Sequence, residues 1–166
     1  MDNINIEERE NFKKAQKRTF KYLSYRERSE KEVRDYLNRK DFPNDVIDAI
    51  IIKFKEWGYL NNERFARLWV QSRANSGRRG PILVKKELQN KGISSSLIEG
   101  IISEEYDSGR EHETAYNLLQ KRIRRYQDEE FQKLKIRLSQ YLQRKGFRYY
   151  TIKRVVDEVL NCHFND

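Results

Sequence analysis

The sequence predicts an all-α protein: three tandem three-helix repeats stacked into an elongated, curved molecule. Three observations carry that expectation. A ten-residue pattern recurs in one register at 33–42, 84–93 and 138–147. Apolar residues fall at helical spacing along most of the chain, and no stretch shows period-two alternation between hairpin turns, so essentially no strand is expected. The composition is thin in apolar residues: 37% of the 166 residues are charged, while Leu, Ile, Val and Phe make up about a quarter. That is enough to fold but not to fill one large core, which suits small units that bury their apolar faces against one another.

The repeat aligns Val33, Leu37, Lys40, Asp41 and Phe42 with Val84, Leu88, Lys91, Gly92 and Ile93, and then with Leu138, Leu142, Lys145, Gly146 and Phe147. The offsets are 51 and 54 residues without gaps. The register continues through Ile47, Ile98 and Ile152, through Ile50, Ile101 and Val155, and through Ile51, Ile102 and Val156. The units this defines are 8–60, 61–107 and 110–161.

Each unit reads as three helices. In the first unit, Phe12, Ala15, Thr19, Tyr22 and Leu23 share one face of a helix over 8–26. Ser29 and Glu32 form a capping box that starts a helix over 29–40. A third, over 44–57, carries Val46, Ile47, Ile50, Ile51 and Phe54 and stops at Gly58, a residue suited to the position after a helix end. In the second unit the helices are expected over 62–76, 80–91 and 95–107, with Pro81 in the first turn of the middle one. In the third they are expected over 110–126, 128–145 and 149–161, with Asp128 as an N-cap. Ala15, Ala66 and Ala115 align the first helices, but the last offset is 49 rather than 54. About five extra residues therefore lie before or within the middle helix of unit three, since in-register repeats otherwise keep a fixed spacing.

The net charge of +9 is unevenly spread. Residues 64–98 carry Arg64, Arg67, Arg73, Arg78, Arg79, Lys85, Lys86 and Lys91 against one acid, Glu87. Residues 131–154 carry Lys133, Lys135, Arg137, Arg144, Lys145, Arg148, Lys153 and Arg154 and no acid. Lys121, Arg122, Arg124 and Arg125 form a third cluster. Such segregation favours a polyanion or an acidic protein surface. The longest apolar run, Ala49–Ile52, is far too short to cross a membrane, and the first residues lack a basic-then-apolar leader. The single cysteine, Cys162, excludes an internal disulfide. A cytoplasmic protein with no membrane partner is the expectation.

Several stretches resemble a known family. Asn61-Asn62-Glu63-Arg64-Phe65-Ala66, Gly80-Pro81-Ile82-Leu83-Val84-Lys85-Lys86-Glu87-Leu88 and Lys91-Gly92-Ile93 resemble the signature of the bacterial RecX family. The segments 23–33 and 142–147 are similar to that family's first and third repeats, so the likeness covers roughly residues 12–161. The resemblance implies three tandem three-helix repeats and a protein that modulates the RecA recombinase, binding its filament on single-stranded DNA and restraining it. It also carries a departure: the family has an Asp-Asp pair where this chain has Asn61-Asn62. Asn caps a helix as well as Asp does, so the expected fold is unaffected.

Catalytic chemistry has little footing. His112 and His163 are not at metal-ligand spacing to each other or to Cys162. The carboxylates Glu104-Glu105-Asp107 and Asp128-Glu129-Glu130 read as a helix end and a helix start, and Gly77-Arg78-Arg79-Gly80 lacks the Lys-Ser/Thr of a phosphate-binding P-loop. No enzyme activity, metal or cofactor is expected.

The best binding candidate is Arg73–Pro81, where two glycines permit close backbone approach, guanidinium groups suit phosphate, and a helix start offers N–H donors. The predicted contact set for DNA or RecA is Arg73, Arg78, Arg79, Lys85, Lys86, Lys91, Lys121, Arg122, Arg124, Arg125, Arg144, Lys145 and Arg148. Tyr149 or Tyr150 offers a ring for base stacking, whereas Tyr22, Phe54, Trp57, Trp69 and Tyr141 read as core. The expected partners are a RecA filament and single-stranded DNA, with duplex DNA as a second ligand, and a monomer is expected. The competing reading is a freestanding DNA-binding protein that uses the helix pair over 80–107 as a helix-turn-helix unit.

Overall fold

The computed structural model describes residues 2–126 and 130–165, and among them it holds nine α-helices and no strand. They are α1 (Asp2–Leu23), α2 (Glu30–Asn38), α3 (Asn44–Glu56), α4 (Asn62–Ser76), α5 (Pro81–Asn90), α6 (Ser95–Glu105), α7 (Ser108–Ile123), α8 (Phe131–Lys145) and α9 (Tyr149–Asn165). None of the described helices is long and apolar enough to cross a membrane.

The repeat has a backbone cause. Asp41, Gly92 and Gly146 all adopt the left-handed conformation, with φ of 59°, 76° and 82°. Each ends the second helix of its repeat and turns the next residue inward. In the first and third corners Phe42 and Phe147 donate their N–H to the carbonyls of Leu37 and Leu142, closing the helix end as a Schellman turn does. Ile93 and Phe147 are buried there, and Phe42 packs against the core of repeat one. Apart from the partly buried Phe42, the aligned apolar positions are buried in all three repeats, including Ala15, Ala66 and Ala115.

Helix starts follow the local chemistry. The Ser29 hydroxyl accepts the Glu32 N–H while the Glu32 carboxylate accepts the Ser29 N–H, both at 3.1 Å, which is the expected capping box. Pro81 is the first residue of α5. Asp107 caps α7 through the Arg110 N–H at 2.8 Å, which moves that helix's start to Ser108, ahead of the expected 110. Helix α1 ends at Leu23 instead of 26, where the Ser24 hydroxyl bonds back to the Lys21 carbonyl, and α9 continues past the expected 161 to Asn165. Asp128, expected as the N-cap of α8, lies outside the described residues, and Glu130 occupies the N-cap position of the observed helix. The extra residues of repeat three lengthen its middle helix, since α8 has 15 residues against 9 in α2 and 10 in α5.

The helices gather into two compact units. One comprises Met1–Ala66 with Lys91–Ile93. In it α1 packs on α2 and α3 over a core of Ala15, Val33, Leu37, Ile47, Ile50 and Phe54. Asn61 caps α4 by accepting the Arg64 N–H at 2.9 Å, and Asn62 accepts the Glu30 N–H at the start of α2 at 3.0 Å. In both bonds the side chain is the acceptor, a capping role that an Asp pair would also fill.

The other unit comprises Arg67–Asn90 with Ser94–Asp166. Here α5 packs on α6, and α9 packs on α7 and α8 over Leu119, Leu134, Leu138, Leu142, Val155 and Leu160. Repeats two and three meet in this unit backbone to backbone. The Gly80 N–H donates to the Lys145 carbonyl at 2.8 Å and the Ile82 N–H to the Gly146 carbonyl at 2.9 Å. A Cβ on Gly80 would sit 2.4 Å from the Gly146 oxygen, and one on Gly146 would sit 2.4 Å from the Leu83 Cβ.

Gly146→Ala must therefore both strain a left-handed residue and separate two backbones, which together cost about 3 kcal/mol or more. Gly77 is also left-handed but has open space around its Cβ position, so Gly77→Ala is expected to cost only about 1 kcal/mol. Urea denaturation of the two variants measures the difference.

Candidate nucleic-acid interface

The acid in the middle of the basic segment 64–98 organises its cations. The Glu87 carboxylate accepts the Trp69 indole N–H at 2.8 Å and the Arg73 Nε–H at 2.9 Å, and pairs with Arg79 through its other oxygen. The Arg73 guanidinium also lies 4.3 Å from the centre of the Trp69 ring. Trp69 is thus a half-buried hydrogen-bond donor as well as an apolar side chain. Arg73 and Arg79, predicted as ligand contacts, also hold the end of α4 against α5. The Tyr106 hydroxyl fixes the same turn by donating to the Arg79 carbonyl at 3.1 Å, and burial pushes that phenol up to about 12. The backbone donors expected to be free at the start of α5 are taken by Lys145 and Gly146, and Gly80 is closed by its own chain.

Lys91 and Arg148 have structural partners too. Lys91 donates to Glu32 at 2.8 Å, and Arg26 donates to the same carboxylate at 2.7 Å. Burial of Glu32 would raise its pKa. The hydrogen bonds from Arg26, Lys91 and the Ser29 N–H outweigh it and hold the group at about 2. Gly92, beside Lys91, leaves room for the Lys31 side chain, whose Cβ would lie 2.9 Å from an added Cβ. Arg148 clamps Glu111, a carboxylate only 1% exposed, which accepts the Arg148 backbone N–H at 2.8 Å and its guanidinium at 3.0 Å. This buried acid was not legible in the sequence, because its partner lies 37 residues away. Lys85 is paired with Glu99 at 2.8 Å, and that fully exposed carboxylate is lowered by the lysine's hydrogen bond and charge. Arg122 stacks 4.1 Å from the centre of the Tyr141 ring, with Lys145 at 5.6 Å.

Six of the thirteen predicted cations remain exposed with no ion-pair partner among the described residues: Arg78, Lys86, Lys121, Arg124, Arg125 and Arg144. Three of them gather at the C-terminal end of α7, where positive side chains also complement the helix dipole. A groove of about 370 Å³ brings two predicted segments together, with Asn75, Ser76 and Gly77 on one side and Asn117 and Lys121 on the other. Arg110 lies in it, tied to Asn75 at 2.7 Å and Glu105 at 3.2 Å. Gly77, unlike Gly80, leaves its backbone open to approach.

The remaining candidates find plain roles. His112 pairs with Glu158 at 2.8 Å, and His163 meets Phe164 edge-on. Glu104 pairs with Arg67, Glu105 with Arg110, and Asp107 caps α7. Asp128 and Glu129 lie outside the described residues. Among those described, no three His, Cys, Asp or Glu side chains are placed to hold a metal ion. Tyr149 and Tyr150 are 80% and 71% exposed. Phe54 is core as expected and Tyr22, Trp69 and Tyr141 are partly buried, but Trp57 is exposed: it caps the end of α3, where the chain turns away.

Comparison with known proteins matches this chain to three consecutive descriptions: the first three-helix domain of RecX over residues 15–54, the second over 61–100 and the third over 110–156. A regulatory protein RecX of Bacillus pumilus (strain SAFR-032) is 36% identical over 157 residues, 95% of this chain and 59% of that protein. One of Bacillus cereus (strain B4264) is 31% identical over 155 residues, 93% of this chain and 57% of that protein. The chain thus spans less than two thirds of the length of these curated relatives. The crystal structure of RecX from Lactobacillus salivarius superposes with a TM-score of 0.83 at 29% identity, covering 90% of this chain and 97% of that one. A second RecX crystal structure gives 0.84 at 25% identity, covering 93% and 75%.

The Glu32 pair predicts a pH dependence. Its carboxylate is held below the ordinary value of 4.5, at about 2, so the stabilisation is fully present above pH 4.5 and is lost as the pH falls toward 2. Glu32→Gln is expected to be less stable than the parent at neutral pH, with the gap closing between pH 4.5 and pH 2. Urea midpoints across that range measure it.

Proposed function

We propose that this chain, which belongs to the RecX family, is a non-enzymatic regulator of the RecA recombinase that binds the RecA filament on single-stranded DNA and restrains it. The observation that carries the reading is the run of three family matches in order, on a chain whose surplus positive charge stays exposed at a few places. The three units 8–60, 61–107 and 110–161 are the functional modules of this reading. Arg78, Lys86, Lys121, Arg124, Arg125 and Arg144 are the cations assigned to phosphate or to acidic protein surface, as Coulomb attraction favours for unpaired charges. Lys91, Arg148, Arg73 and Arg79 are reassigned to holding the fold. The helix-turn-helix alternative finds less support, because the turn after α5 is occupied: Gly92 packs on Lys31, Lys91 is bound to Glu32, and Ile93 is buried.

The test is RecA's ATP hydrolysis on single-stranded DNA, at fixed salt and with DNA in excess, with and without this protein. Inhibition at substoichiometric protein supports regulation of the filament, whereas inhibition that disappears in excess DNA means only that a basic protein sequestered the strand. Reversing Arg78, Lys121, Arg124 and Arg125 together is expected to weaken both inhibition and DNA binding. On single strands the log-log salt slope should fall by about 0.7 for each phosphate that is no longer neutralised. Reversing Arg148 alone is expected instead to lower thermal stability, because it strands the buried Glu111.

A further inference from the structure

Four aromatic rings converge where α1 passes the end of α3, and three of them face solvent. Phe54 is fully buried and forms the base. Above it Phe20, Trp57 and Tyr59 are 38%, 42% and 50% exposed. Phe20 and Trp57 lie nearly parallel, 15° apart with centroids at 6.1 Å, and Tyr59 stands edge-on to both at 5.2 and 6.5 Å.

The cluster is rigid by construction. Helix α3 ends in a turn in which the Gly58 N–H donates to the Lys55 carbonyl and the Tyr59 N–H to the Phe54 carbonyl, both at 2.9 Å. Arg64 donates to the carbonyls of Gly58 and Tyr59 at 3.1 and 3.4 Å, and Glu27 holds Arg64 in place at 3.0 and 3.3 Å. Fixed rings lose little freedom when a ligand stacks on them. Lysines outnumber unpaired acids near them in the chain. The Lys53 ammonium sits 5.3 Å from the Trp57 ring centre, and Lys17 lies exposed one turn before Phe20 on α1, with Lys21 beside it. The nearest free acid in sequence is Glu56, and Glu27 is neutralised by Arg64.

Solvent-facing rings with ammonium groups nearby are what an unpaired nucleobase and its phosphates need. We infer that Phe20, Trp57 and Tyr59 form a base-stacking platform for single-stranded nucleic acid, separate from the exposed cations of α5 and α7. The inference rests on the nucleic-acid half of the proposed function and adds to it an interaction with the bases.

A Trp69→Phe chain leaves Trp57 as the sole tryptophan, and it can be titrated at one low salt concentration with a dT oligonucleotide and with an abasic strand of equal length. Both strands carry the same phosphates, but only one carries bases. Quenching of Trp57 by dT and not by the abasic strand, with affinity about tenfold weaker for the latter, is the expected result. Trp57→Ala in the parent chain should remove the preference for bases while leaving the salt slope unchanged; its helix content is checked by circular dichroism, and the comparison of strands on intact Trp57 does not depend on it. Equal affinity for both strands with unaltered emission overturns the platform and leaves the function proposed above standing. Emission that answers RecA alone and not DNA makes the rings a protein-binding surface, which also overturns it. Failure to bind either strand removes the platform together with the DNA-binding part of that function.

Discussion

Everything in the fold turns on a left-handed residue after the second helix of each repeat. Asp41, Gly92 and Gly146 reverse the chain in one residue, and Phe42, Ile93 and Phe147 then enter the core. That single conformation leads the chain into a third helix that packs on the second in every repeat. It is why the apolar register can be copied 51 and 54 residues later with every position still facing inward. At Gly92 and Gly146 a second demand is added, since neighbouring side chains or backbone fill the space a Cβ would need. Asp41 meets only the conformational demand, which Asp tolerates better than most residues.

A second constraint is how a strongly basic chain packs its few interior acids. Glu32, Glu87 and Glu111 are each held by more than one donor, and the donors reach them across the turns between elements. These carboxylates draw Arg26, Lys91, Arg73, Arg79 and Arg148 inward. Among the described residues, cations without an ion-pair partner remain at the end of α7 and at Lys86 and Arg144. The exposed cations are the remainder after the fold has taken its share.

The helices and several of their caps were legible because they depend on residues three to five apart, and the three-part register because the same local pattern recurs. The capping box at Ser29, Pro81 at the start of α5 and the glycine after α3 are all local chemistry, and they stand as read. The use of each cation was not legible. Arg73 to Glu87 spans 14 residues, Arg148 to Glu111 spans 37 and Lys91 to Glu32 spans 59, so counting charge by segment could not reveal that these cations are bound. Trp57 misled for a related reason. It continues the apolar stripe of α3 but falls on the cap residue, where the helical face no longer predicts direction.

The shared carboxylates give the molecule an inverted tolerance to change. When one basic side chain at Glu32 or Glu87 is replaced, the acid keeps a second cation, whereas Glu111 depends on Arg148 alone. When Glu32 or Glu87 itself is replaced, two cations are left without the acid they share. In a chain with 35 basic and 26 acidic residues, the scarcer sign is therefore the one that random substitution can least remove. A lineage drifting toward still higher positive charge would meet its limit first at the few carboxylates that hold cations within the fold.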